Sequence, residues 1–407
     1  MTSAPADPPA PPHSQWAGPV LLLIVFLSLI GFGVVIPLLP FYVIVFDAPP
    51  WQVTLMFATF SLGQFLGELT WGPLSDRVGR RPVLLITIFV SALGYLGLAF
   101  APNIWLAILA RAIAGFFSGN ISVIQGYIVD VTPEERLAGR LGMIGAAFSV
   151  GFVVGPSLGG LLANPDLGAA GLRPPLLVAG VLCVLAGICI MMFVPESLRE
   201  GAHRQRSVGP VSALKHALGD PVLRRLVMAT FVLFAAFSAM WSTVGLWGRA
   251  RFDWEPREIG VVMAMTGVGG ALCQGFLSGY LVRRIGARVT VVLGLGACSL
   301  AMALQSVAGP VALAVACVVA AVMCHAVAMP AMTSLVSHAA PRDGQGATLG
   351  AINAAGAFAR VVGPVVAGVL FSMIGSHAPI MFASAGMLPA LWLIWRAKTN
   401  SMPEPRL

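Results

Sequence analysis

Charge is what this sequence has least of. Only 10% of its 407 residues are Asp, Glu, Lys or Arg, against about 25% in ordinary soluble domains. With 58% hydrophobic residues and a mean hydropathy of +0.89, the chain has too few charges to present such a composition to water. That scarcity excludes a soluble enzyme or a nucleic-acid-binding module and demands a bilayer as solvent. The net charge of +8 builds no nucleic-acid face, because the basic residues sit in short loops between apolar runs. The six cysteines, Cys183, Cys189, Cys273, Cys298, Cys317 and Cys324, all lie inside apolar runs, and no pair has metal-site spacing. They read as small buried hydrophobes. There is no nucleotide-binding loop, metal cluster or nucleophile–base set, which argues against an ATP-driven pump and against an enzyme. No cofactor is expected, and protons are the expected coupling ion. Residues 1–17, with Pro8-Pro9-Ala10-Pro11-Pro12, lack the basic start of a signal peptide and read as a disordered tail.

What is present is a series of apolar runs. A spanning helix needs roughly 20 mostly apolar residues. Twelve stretches qualify, at about 20–46, 52–73, 82–101, 104–129, 137–163, 174–194, 223–248, 258–281, 287–307, 310–336, 345–373 and 376–396. Breakers such as Ala48-Pro49-Pro50, Gly79-Arg80-Arg81-Pro82, Asn164-Pro165-Asp166 and Pro341-Arg342-Asp343-Gly344 mark the joints. If the N-terminus is inside, 18 of the 24 basic residues fall in inside segments and four in outside loops: Arg173, Arg249, Arg251 and Arg257. That asymmetry predicts cytoplasmic termini in a multi-pass protein of the cell (plasma or inner) membrane. The longest loop carries Arg199, Arg204, Arg206 and Lys215. The predicted organisation is a tail at 1–17, a six-helix bundle at 18–194, a cytoplasmic linker at 195–222, a second six-helix bundle at 223–397 and a tail at 398–407. The expected fold is an all-α membrane protein of 12 transmembrane helices in two pseudo-symmetric halves.

The two halves repeat. Residues 141–162 and 349–370, 208 apart, are identical at 11 of 22 positions without gaps. Gly72-Pro73-Leu74-Ser75-Asp76-Arg77-Val78-Gly79 echoes residues 279–286 at a shift of 207. Two segments agreeing on the offset argue for duplication of a six-span unit, a transporter architecture with its site near the midplane.

These same residues resemble the major facilitator superfamily, and within it the drug:proton antiporters. The stretch Gly72 to Pro82, with Asp76, Arg77, Gly79, Arg80 and Arg81, is similar to that family's loop between helices two and three. Arg111-x3-Gly115 resembles its fourth-helix motif, and Gly31-Phe-Gly33-Val-Val-Ile-Pro37-Leu-Leu-Pro40 its first-helix signature. Gly151, Gly155, Pro156, Gly159 and Gly160 resemble the fifth-helix pattern of its exporters. Segments such as Arg80–Leu85 and Arg251–Trp254 look like tetracycline-efflux proteins. Those proteins carry membrane-embedded aspartates in helices one, three and nine, where this chain has Ser28, Gly94 and Cys298. The resemblance implies proton-coupled antiport of tetracycline-like or other amphipathic compounds by alternating access. It also implies pairing of Arg80 with Asp130. An importer of a small metabolite and a non-transporting receptor or scaffold are the rival classes. The expected partners are a small-molecule substrate and the lipid bilayer, with no nucleic acid, and the chain is expected to act as a monomer.

Charges inside spans are costly and usually functional. Glu68 follows Ser61 and Gln64 on one face of the second span and is its leading proton-coupling candidate, with a static ion pair to an arginine or a carboxylate reached by cytoplasmic water as the alternatives. His325 is a second proton-coupling candidate, or a satisfied structural histidine. Arg111, Gly115, Ser118, Ser122 and Gln125 form a polar stripe on the fourth span, predicted to face a central cavity with Asn120 pointing away. Asn353 and Arg360 share a face of the eleventh span and are expected to line that cavity, as is Gln274. Arg360 lies about 20 Å from the cytoplasmic start of its helix, too deep for a direct pair with Glu68 in straight helices. Phe234, Phe237, Trp241, Met329 and Met332 are candidates for an apolar substrate pocket. Asp76 is expected against the positive end of helix eleven, tying the halves together when the cytoplasmic side is closed. The loop arginines either serve that lock or set topology and meet anionic lipid. The fifth-helix glycines are expected to pack tightly on the other half and seal the cavity, or to serve generic helix packing.

Overall fold

The computed structural model describes residues 14–198, 218–340 and 345–397. Most of the predicted linker, with Arg199, Arg204, Arg206 and Lys215, lies outside the described residues, as do Arg342, Lys398 and residues 1–13. Helical structure begins at Ser14, inside the predicted tail.

Twelve long helices form the described chain. They are α1 (Ser14–Val35), α2 (Pro50–Val78), α3 (Arg80–Ala99), α4 (Ile104–Val131), α5 (Glu134–Leu162), α6 (Arg173–Phe193), α7 (Pro221–Phe252), α8 (Pro256–Ile285), α9 (Ala287–Val307), α10 (Val311–Ala339), α11 (Gln345–Met373) and α12 (Ala378–Arg396). Eleven of them are long and apolar enough to cross a membrane. The exception is α2, a 29-residue helix diluted by Gln52, Thr54, Thr59, Ser61, Gln64, Glu68 and Thr70. A helix between two bundles can carry polar groups that lipid would penalise.

Local chemistry sets the helix ends. Asp220 accepts from the backbone N–H of Val222 (2.7 Å) and Leu223 (2.9 Å), with Pro221 in the first helical position of α7. Glu255 and Glu258 form a reciprocal capping box at the start of α8. Gly79 and Gly286, 207 residues apart, close the equivalent α2–α3 and α8–α9 turns with φ of +115° and +83°. An L side chain rarely adopts either value. The duplication is therefore visible in backbone conformation.

Three helices depart from regular α geometry. Beyond Val35, α1 tightens into a 3₁₀ segment, Ile36–Phe41, around Pro37 and Pro40. Helix α4 is interrupted at Gly119-Asn120, between Ile104–Ser118 and Ile121–Val131. Helix α8 widens into a π segment at Cys273–Leu277.

The halves meet along two long contacts, α5 against α8 and α2 against α11. We call the end bearing Arg77, Arg80, Arg81, Arg283, Arg284, Arg288 and Arg396 the basic end. At the opposite end the halves are in backbone contact. A Cβ on Gly160 would meet the Pro256 carbonyl and Arg257, and one on Gly260 would meet the Pro156 carbonyl at 2.6 Å. In the duplicated position, a Cβ on Gly368 would meet Thr54 and Trp51. Pro40 of α1 approaches Gly245 of α7, and the Arg249 guanidinium lies 5.6 Å over the Phe41 ring. Toward the basic end the glycines of the same helices are uncovered. Gly142 and Gly145 on α5, Gly275 on α8 and Gly350 on α11 have no neighbour within 4 Å of a built Cβ among the described residues.

The fifth-helix glycines divide between two tasks, which corrects the expectation that all face the other half. Gly151, Gly155 and Gly159 pack on α1 of their own bundle, against Leu29, Gly33 and Val34. Pro156 and Gly160 face α8, against Gly260, Pro256 and Arg257. A helix wedged between α1 and α8 presents small residues to both. All six cysteines are free thiols, buried or half-buried.

Candidate functional site

Between the halves lies a chamber with two lobes. The larger, about 420 Å³, is lined by Ser61, Gln64, Ser149 and Phe152 of the first half and by Phe234, Phe237, Trp241, Gln274, His325, Met329 and Arg360 of the second. The smaller, about 380 Å³, reaches into the first half and is lined by Glu68, Ser91, Tyr95, Ser118, Asn120 and Ile124, with Arg360 at its edge. Phe32, Phe60, Gln64, Phe148, Phe152 and Arg360 belong to both lobes. Each lobe falls within the roughly 300–1,000 Å³ typical of ligand pockets.

Aromatic rings form the frame. Phe60 and Phe32 lie 5.1 Å apart, Phe32 and Phe152 5.8 Å, and Phe152 meets Trp241 across the interface at 6.1 Å. Trp241 stacks on Phe237 at 6.1 Å, and Phe237 stacks on His325 at 3.7 Å and 7°. Phe234 stands edge-on to His325 at 6.1 Å and carries the Arg360 guanidinium 5.9 Å over its face. This unbroken ring contact crosses from one half to the other. Its inner end is Arg111, whose guanidinium sits 4.2 Å over Phe60.

Glu68 and Arg360 are the two formally charged residues that line the chamber among the described residues. No ion pair joins them, yet they interact electrostatically across the smaller lobe. His325 is 8% exposed, and its Nδ1 has no hydrogen-bond partner among the described residues.

Six predicted lining residues lie elsewhere: Arg111, Gly115, Ser122, Gln125, Asn353 and Met332. Arg111 is 1% exposed and sealed inside the first bundle, among Phe60, Tyr42 and Tyr95 rather than in the chamber. Helices α2 and α4 touch backbone to backbone there: a Cβ on Gly63 would meet the Ala112 carbonyl, and one on Gly115 the Phe60 carbonyl. The face carrying Arg111 and Gly115 is thereby committed to α2. The cation–π contact offsets its burial by about 0.5–2 kcal/mol. The break at Gly119-Asn120 then turns the rest of α4. Asn120, predicted to point away, lines the smaller lobe and donates to Thr87 Oγ1 at 2.8 Å. Gln125 is exposed and lines neither lobe. Asn353, two turns closer to the basic end than Arg360, is exposed where the halves have parted. Met332 is buried in the packing of α10, one turn beyond Met329. Of the positions where aspartates were expected from the resemblance, Gly94 packs on Ala114 and Cys298 is fully buried; the side chain of Ser28 lies outside the described ones.

At the basic end, the loop residues form a network within the first half. Arg80 is 3% exposed and pairs with Asp76 at 2.5 Å and with Asp130 at 3.3 Å, and its Nη1 donates to Ser75. Gly72 faces Ser122, and Arg77 is exposed. Asp76, expected against α11, is here engaged by Arg80 of its own half. Residues 341–344, before α11, lie outside the described residues. Sequence reasoning missed Glu196. Its carboxylate accepts from the backbone N–H of Arg80 (2.9 Å), Arg81 (3.1 Å), Ser197 (2.9 Å) and Leu198 (3.0 Å). It caps α3 from 116 residues away, favourably placed at the positive end of the helix. Ser197 Oγ donates to Asp130 at 3.2 Å, and Arg81 Nη2 donates to the Met191 carbonyl at 2.7 Å. A carboxylate just after a span, in Pro195-Glu196-Ser197, was the available signal.

The model of the Major Facilitator Superfamily matches residues 21–364 and 249–406. The chain is 30% identical over 361 residues to the tetracycline resistance protein, class C, of Escherichia coli, covering 87% of this chain and 89% of the relative. It is 24% identical over 395 residues to Multidrug resistance protein 2 of Bacillus subtilis (strain 168), covering 94% and 95%. Among solved structures, a bacterial homolog of the human lysosomal transporter Spinster, in an inward-facing and occupied conformation, superimposes with a TM-score of 0.77 at 14% identity, covering 96% of this chain and 97% of that one.

Proposed function

We infer the function from one premise: the chain belongs to the major facilitator superfamily. It is a multi-pass membrane protein that exports amphipathic drugs, tetracycline-like compounds among the candidates, in exchange for protons. The observation that carries this reading is the chamber itself: aromatic, shared by both halves, shut at one end by backbone contact and open toward the other. The basic end is the cytoplasmic one by the charge bias, so both termini face the cytoplasm and the state described here faces inward. Export then proceeds by rocking the halves about the chamber until the basic end closes and the opposite end parts. The names of the tetracycline and multidrug resistance relatives support outward drug movement.

Glu68 carries the proton. It is half-buried, lines the smaller lobe and faces the positive charge of Arg360. Protonation from outside favours one state, and drug binding from inside favours release of the proton inward. Everted vesicles acidified in the lumen should accumulate a fluorescent amphipathic dye, and Glu68→Gln should abolish that accumulation. Unchanged uptake in the variant discards the role of Glu68; flux down the opposite gradient discards export.

A further inference from the structure

We propose that the chamber selects zwitterionic aromatic compounds, with an acidic group bound at Arg360 and an ammonium group at Glu68. The inference rests on reading the chamber as the transport site. Two opposite charges stand apart in an otherwise apolar, ring-lined space, without an ion pair between them. A charge sheltered from water and left unpaired is costly. A neutral ligand that displaces water from the lobes leaves both charges uncompensated. A singly charged ligand satisfies one and meets repulsion from the other. A ligand carrying both charges across a flat ring system satisfies the two together.

The surroundings fit that orientation. The Arg360 guanidinium lies 5.9 Å over the Phe234 ring, on the side of the larger lobe. Gln274, Ser238 and His325 line the larger lobe on the same side, and no carboxylate lines it among the described residues. Such a lobe receives an anion bidentately at Arg360. On the other side, Glu68 lines the smaller lobe with Phe60 and Gln64, and no cation besides Arg360 lines that lobe among the described residues. The Phe32, Phe60 and Phe152 rings between the lobes supply faces for stacking an aromatic body. The ammonium group of the ligand and the proton then compete for one carboxylate, which gives the sign that exchange requires.

The test uses the full chain in lipid nanodiscs and three probes on one scaffold: 4-(aminomethyl)-1-naphthoic acid, its methyl ester and its N-acetyl derivative. Calorimetric titration should find the zwitterion bound at least tenfold more tightly than either derivative. Arg360→Gln should level the zwitterion with its ester, and Glu68→Gln should level it with the N-acetyl acid. Should Arg360→Gln bind nothing, Arg360→Lys decides: a preserved preference supports the assignment and a lost one overturns it. Binding of all three probes within twofold of each other overturns it as well. Because titration needs no gradient, export without this preference refutes the selectivity and leaves efflux standing. The preference without vesicle transport refutes efflux and leaves the selectivity.

Discussion

The two ends of the contact between the halves use the same residue to opposite effect. Near the far end, Gly160, Gly260 and Gly368 bring backbone against backbone, so that any side chain would collide with a neighbouring helix. Near the basic end, a Cβ on Gly142, Gly145, Gly275 or Gly350, on the same helices α5, α8 and α11, would meet nothing within 4 Å among the described residues. A glycine stripe is therefore not a contact in itself. It permits close approach wherever the helices converge, and the present state uses half of that permission. If alternating access is at work, the idle glycines are the ones that come together when the basic end shuts.

The largest effect should come from forcing apart what is closed. Gly160→Leu drives a side chain into the Pro256 carbonyl, an overpacking of about 1–3 kcal/mol or more. Dye efflux should fall at least tenfold, with a lowered thermal midpoint by scanning fluorimetry. Gly142→Leu sharpens the contrast: it should leave the midpoint near wild type in the inward-facing state but still abolish efflux, because the basic end can no longer close. A smaller loss should follow Arg80→Gln, which strips charged hydrogen bonds from Asp76 and Asp130. At roughly 1.5–3 kcal/mol for bonds to charged groups, it should lower the midpoint measurably while drug binding to the chamber persists. The smallest effect should be that of Glu196→Ala, which removes a helix cap worth about 0.5–2 kcal/mol; Glu196→Gln, keeping an acceptor, should recover most of it. Equal losses from Gly142→Leu and Gly160→Leu in the thermal midpoint would erase the distinction between the two ends.

The spans were legible because hydrocarbon thickness imposes a length and a composition on nearly all of them, α2 with its polar face excepted. The duplication was legible too, down to Gly79 and Gly286, since a turn that demands positive φ leaves a glycine behind in both copies. The lining of the chamber was only partly so. Glu68, Gln274, His325 and Arg360 line it, but Arg111 does not, because helical period tells which residues share a face and not which neighbour that face meets. Two things hid the answer: the Gly63–Gly115 contact between helices and the interruption at Gly119-Asn120, which resets the register of α4. Glu196 stayed hidden because its partners lie 116 and 115 residues earlier in the chain.

The clasp at the far end is built from carbonyls and α-carbons, with Pro156 and Pro256 beside them. Its closest contacts are backbone and proline, with few rotamers, while the Glu255–Glu258 capping box and Arg249 stand beside them. The grip of those backbone contacts rests on shape and not on the identity of the cargo, which must make itself felt from elsewhere, through the ring-lined space. A pump arranged in this way can have its cargo preference retailored without touching the part that holds the door.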